Sequence, residues 1–95
     1  MNDAHSQLSS VIRAFLEGEL NEKDFSERFE RLYNLEVDRT TLSPEVANLF
    51  EDLFNEVVLY SPFEEDRKKY AGYRDERAIR KAALRAWTRL KQPGT

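Results

Sequence analysis

Apolar side chains return along this chain about every 3.6 residues, the spacing of helices that bury one face. Leu8, Val11, Ile12, Phe15 and Leu16 mark a first helix, and Gly18 stands where a left-handed C-cap would end it. Asn21 is placed to cap a second helix, with Glu22 and Asp24 in a first turn where carboxylates meet the positive end of the helix dipole. Phe25, Phe29, Leu32 and Tyr33 form its buried stripe; the pattern then decays, and residues 38–41 read as a polar connection. Ser43-Pro44-Glu45 opens a third helix, with serine as N-cap and proline at the first helical position, where a missing N–H costs nothing. Val46, Leu49, Phe50, Leu53, Phe54, Val57 and Val58 give this helix a wide apolar arc, which Ser61-Pro62 stops. Residues 63–74 mix both charges with aromatics and read as a connector with room for a helical turn at its start. Asp75 caps a fourth helix lined by Ile79, Ala82, Ala83, Ala86, Trp87 and Leu90, and Pro93-Gly94 closes the pattern.

No segment alternates with period two and no Asn-Gly or Asp-Gly hairpin turn occurs. The expected fold is therefore all-α, a compact antiparallel four-helix bundle occupying residues 1–95 as one domain. A chain of 95 residues with 40% hydrophobic side chains supports one core, and neither a repeat nor a low-complexity tract breaks it.

Composition narrows the chemistry. There is no cysteine, which removes disulfides, thiol catalysis and thiolate zinc sites; the single histidine, His5, cannot build a His-rich metal centre or a His-centred triad. His5 projects toward the apolar side of the first helix, where a packed or fraying histidine is the plain reading. No Gly-rich phosphate cradle appears, so the expectation is a protein that is not an enzyme and needs no cofactor or metal. No apolar run reaches the roughly 18 to 20 residues that span a bilayer, and the N-terminus lacks a basic start and apolar stretch, so a cytoplasmic protein without a membrane partner is expected.

The formal net charge of −3 conceals a division of the chain. Residues 1–66 hold 5 Lys/Arg against 16 Asp/Glu, a net −11, while residues 67–95 hold 10 against 2, a net +8. Asymmetry of this size suggests an electrostatically steered partner and internal complementarity. At about 100° per residue, Glu45, Asp52 and Glu56 fall in one narrow arc of the third helix opposite its apolar centre, flanked by Asn48, Glu51 and Asn55. Glu64, Glu65 and Asp66 extend this acidic ridge past the helix end. The helix C-terminus is itself negative, so Glu56 is electrostatically misplaced, which counts toward a function, while on composition alone the plain reading of the stripe is an exposed helix face charged for solubility. Leu59 projects onto the acidic side, as an interface anchor would, and Tyr60, Tyr70 and Tyr73 are either core caps or binding aromatics. Arg74, Arg77, Arg80, Lys81, Arg85, Arg89 and Lys91 make one side of the fourth helix basic. The alternative that follows is a small nucleic-acid-binding or regulatory adaptor acting through that helix; the pI near 5.2 and the acidic majority favour internal salt bridges instead.

Several segments together resemble the colicin D-type bacterial immunity proteins, a group that includes immunity proteins of contact-dependent inhibition systems. The likeness runs through Phe15-Leu16-Glu17-Gly18-Glu19-Leu20, Asp24-Phe25-Ser26-Glu27-Arg28 and Arg31-Leu32-Tyr33. It continues in Leu42-Ser43-Pro44, Glu51-Asp52-Leu53-Phe54 and Tyr60-Ser61-Pro62, then Asp66-Arg67 and Tyr70, covering most of residues 8–90. The resemblance implies a four-helix bundle without enzymatic activity that neutralises a cognate tRNA-cleaving toxin domain. A nuclease has a cationic site for the RNA backbone, and an acidic surface can occupy it in place of phosphates. The expected toxin-binding set is Glu45, Glu51, Asp52, Glu56, Leu59, Tyr60, Glu64, Glu65, Asp66 and Tyr70, in a monomer that forms a 1:1 heterodimer without touching nucleic acid itself. This chain departs from the colicin D relative in carrying Val58 and Ser61 where acids stand at the end of the third helix, and in a longer connector with Lys68 and Lys69, so partner identity does not carry over.

Overall fold

The helix boundaries at Gly18, Asn21, Ser43 and Asp75 carry groups that satisfy free backbone. In the computed structural model, which describes residues 4–61, 63–69 and 72–91 without the side chains of Glu64, Asp66 and Arg67, α1 runs Ala4–Leu16. Gly18 follows at φ +87°, with its N–H donating to the Phe15 carbonyl (3.1 Å) and the Glu19 N–H to the Ala14 carbonyl (2.9 Å). These are the paired bonds of a Schellman cap, which requires the left-handed residue that glycine supplies without strain. The Asn21 side chain accepts the Asp24 N–H at 2.7 Å and opens α2, Glu22–Arg31. α3, Pro44–Val57, starts on Ser43, whose hydroxyl accepts the Val46 N–H at 3.3 Å. A short α4, Glu64–Lys69, supplies the helical turn expected at the start of the connector. α5, Glu76–Lys91, is capped by the Asp75 carboxylate, which accepts the Ala78 N–H at 2.9 Å.

Two stretches differ from the sequence expectation. Past Arg31 the chain widens into a π-helical turn, Leu32–Glu36, closed by the Val37 N–H on the Leu32 carbonyl at 3.0 Å. Leu32 and Tyr33 stay in the core on the regular stripe that α2 sets, while Leu35 within the wide turn points outward, 81% exposed. A 3₁₀ turn, Arg39–Thr41, follows, with the Asp38 carboxylate accepting both the Thr40 N–H (3.0 Å) and its hydroxyl. The second difference is at the end of α3. Val58, its C-cap, keeps helical backbone angles and donates its N–H to the Phe54 carbonyl at 3.0 Å, yet is exposed, because it stands at the outer edge of the apolar arc.

The core is an aromatic ladder sealed by alanines. Phe15 of α1 stacks on Phe25 of α2 at 4.4 Å between centroids; Phe25 meets Phe29 at 5.8 Å, and Phe29 meets Phe50 of α3 at 6.3 Å. Tyr33 stacks on Phe54 at 4.5 Å, carrying the ladder to the rim. Leu8, Ile12, Leu53 and Ile79 fill the spaces between, all fully buried. Ala82, Ala83 and Ala86 present almost no side chain, so α5 approaches α3 and α1 closely and leaves only a shallow trough over its own alanines. The His5 ring packs edge-on to Phe50 at 6.0 Å while the residue as a whole stays exposed.

The result is an all-α helical bundle with α1, α2, α3 and α5 around one core. No strand occurs among the described residues; Tyr60 and Arg74 form one isolated parallel bridge, with the Arg74 N–H donating to Leu59 (2.7 Å) and the Ser61 N–H to Arg74 (2.9 Å). No helix among the described residues is long and apolar enough to cross a membrane.

Candidate functional site

α3 carries four carboxylates and no lysine or arginine, and its solvent arc, Glu45, Asn48, Glu51, Asp52 and Asn55, is exposed throughout. Glu45 lies in the first turn, where the dipole favours it. Asp52 is 71% exposed and faces Arg89 of α5 at 3.7 Å, a loose pair in open solvent. Glu65, on α4, is exposed as well. Glu64, Asp66 and Tyr70 complete the expected set, but the first two side chains and the whole of Tyr70 lie outside the described residues.

Glu56 stands apart from these. Its carboxylate receives the Arg74 guanidinium at 2.5 Å, with both side chains largely covered, and the same guanidinium donates to the Gly72 carbonyl at 2.6 Å. The misplacement of Glu56 near the negative end of α3 is thereby offset from within the chain, by a cation that also fastens the connector to the helix. Leu59 also leaves the acidic face. Its projection assumed a helix that continues, whereas α3 ends at Val57 and Leu59 sits half-buried in the following turn, its carbonyl engaged by Arg74. Tyr60 packs against the core and its hydroxyl lies 3.3 Å from the Glu76 carboxylate.

Tertiary packing also divides the basic helix. Arg80 reaches Glu22 of α2 at 2.9 Å while its guanidinium lies over the Phe15 ring at 4.7 Å, and Arg89 turns to Asp52. With Arg74 on Glu56, three cations of the +8 segment are matched to acids of the −11 segment. Arg77, Lys81 and Arg85 are exposed and, among the described residues, have no carboxylate within 4 Å.

Between α3 and α5 runs a groove of about 450 Å³. Leu49, Leu53, Ala82 and Ala86 form its floor, Asp52, Asn55 and Glu56 one wall, Arg85 and Arg89 the other. The chain matches no family model, no curated protein and no solved structure. The sequence reading found the acid wall of the groove and missed the groove itself, although the alanine run facing Leu49 and Leu53 is the trace it leaves in the sequence. Near the Tyr60–Arg74 bridge in the chain, Val58, Phe63 and Tyr73 are exposed, and of these only Tyr73 was a candidate from the sequence.

Proposed function

We propose that this chain is an immunity protein that binds the cationic RNA site of a tRNA-cleaving toxin domain and blocks it without chemistry. The observation that carries the reading is the solvent arc of α3, in which Glu45, Glu51 and Asp52 stand exposed on a helix that holds no base. Carboxylates carried on a preformed helix need no backbone ordering, and as surrogates for phosphates they fit a site built for a nucleic-acid backbone. Glu65 adds the same charge on α4, and the resemblance to colicin D-type immunity proteins supports the same class of partner. Glu56 acts in this reading as a structural member, and Leu59 and Tyr60 shape the turn that carries the connector. The complex is a 1:1 heterodimer formed in the cytoplasm.

The test is inhibition of tRNA cleavage by the toxin encoded beside this chain's gene, with Glu45→Gln, Glu51→Gln, Asp52→Asn and Glu65→Gln combined. None of these side chains supports the core, so the variant folds; association slows by about tenfold or more, and the wild-type on-rate falls steeply with added salt as steering is screened over about 8 to 10 Å. Full protection by the combined variant, or a salt-insensitive on-rate, would remove the basis of the proposal. RNA binding by the free chain at physiological salt, abolished by Lys81→Gln and Arg85→Gln, would point to the basic-helix alternative.

A further inference from the structure

The α3–α5 groove is not a uniformly negative surface, and this has a consequence for the partner. Of its two carboxylates, Glu56 is held by Arg74 and Asp52 faces Arg89 loosely at 3.7 Å, whereas Arg85 has no carboxylate within 4 Å among the described residues. Uncovered, that guanidinium is solvated and costs nothing. A partner that closes over the groove removes its water, and a desolvated cation without an anion is strongly unfavourable.

We infer that Arg85 is a specificity-determining contact that receives an acidic side chain of the partner. The inference rests on the toxin reading above and sharpens it: the cognate surface carries, beside its cationic RNA site, an aspartate or glutamate that enters the groove and meets Arg85. The groove, at about 450 Å³, has ample room for such a side chain, and a guanidinium offers a carboxylate two parallel donors. A toxin with a base at that position would be repelled, so the groove separates cognate from related toxins while the α3 arc supplies general attraction.

Pure phosphate imitation and this inference predict opposite signs for one substitution. If α5 contributes nothing but unhelpful positive charge, Arg85→Glu makes the inhibitor more acidic and tightens binding to a basic toxin. If Arg85 receives an acid, the same change weakens it. The experiment measures association and dissociation of the full chain with a catalytically inactive nuclease domain of the adjacent toxin, for wild type, Arg85→Gln, Arg85→Glu and the control Arg77→Glu. Arg77 is equally exposed on α5 but does not line the groove. The expected result is a loss of about tenfold for Arg85→Gln and about a hundredfold for Arg85→Glu, chiefly in the dissociation rate, with Arg77→Glu unchanged or slightly tighter. Thermal melts that match wild type exclude misfolding as the cause. Unchanged or tighter binding by Arg85→Glu overturns the inference and leaves the toxin reading standing. Failure of the wild-type chain to bind the toxin overturns both. Retention of labelled tRNA by the wild-type chain, lost in Arg85→Glu, overturns it by giving the cation to phosphate.

Discussion

Removing the Arg74–Glu56 pair should loosen the connector and cost more than a surface ion pair does. Exposed pairs contribute about 0.2 to 1 kcal/mol, whereas breaking a buried pair by removing one partner costs about 3 to 5 kcal/mol. The Arg74 and Glu56 side chains are 34% and 25% exposed, between these limits, so solvent screening brings their coupling to about 1 to 2 kcal/mol. Arg74→Met keeps the apolar stem, removes the charge and also removes the donor to the Gly72 carbonyl, a bond worth about 1 kcal/mol. The single variant should therefore lose about 2 to 3 kcal/mol, and at roughly 4 to 8 °C per kcal/mol for a domain of this size its melting temperature should fall by more than about 8 °C. Glu56→Gln alone should lose somewhat less, because it also relieves an unfavourable charge at the C-terminal end of α3. The assay is a double-mutant cycle by urea denaturation with Arg74→Met, Glu56→Gln and the combination, alongside hydrogen exchange of the Arg74 and Ser61 amides that form the bridge to residues 59–61. Single losses that add to within about 0.3 kcal/mol, with those amides still protected in Arg74→Met, would refute the view that the pair holds the connector on the bundle.

Other substitutions test local features. Gly18→Ala should destabilise by about 1 kcal/mol in thermal melts: φ is +87° and nothing lies within 4 Å of an added Cβ, so backbone strain is the whole cost. Ser26 is 4% exposed and its hydroxyl has no partner among the described residues, so Ser26→Ala should stabilise by about 1 kcal/mol in urea unfolding. Acidification should weaken the fold at two marked carboxylates. Hydrogen bonds from the Thr40 hydroxyl and N–H hold the Asp38 carboxyl below its ordinary range, and the Arg13 hydrogen bond and charge do the same for Glu17. A depressed folded pKa contributes stability above the unfolded value and loses it as pH falls through the folded one, so the loss falls at and below the ordinary carboxylate range. Carbon-detected NMR titration should show both groups titrating low, and Asp38→Asn should flatten part of the acid limb of the stability curve.

Local chemistry made most of the fold legible. The helix starts at Asn21, Ser43 and Asp75 are each decided by a side chain three residues from the backbone N–H it serves, and the stop at Gly18 by the lack of a Cβ, so the sequence contains the whole cause. The buried stripes are likewise a matter of period: Phe15, Phe25, Phe29, Phe50 and Ile79 had only to face inward, and they do. The π turn after Arg31 was not legible, because an i→i+5 bond has no composition of its own.

Charge is where sequence and structure part. By itself the sequence determined an all-α bundle, the solvent arc of α3 and the sum of charges in each half of the chain. Which charges remain available to a partner was decided only by tertiary packing, since Arg74, Arg80 and Arg89 find acids 18, 58 and 37 positions away in the chain. Coulomb energy depends on separation in space and on exposure to water, and neither is a property of sequence distance. Packing thus withdrew Glu56 and Leu59 from the acidic face, left Glu45, Glu51 and Asp52 on it, and set Arg85, with no carboxylate within 4 Å among the described residues, across the groove from Asp52.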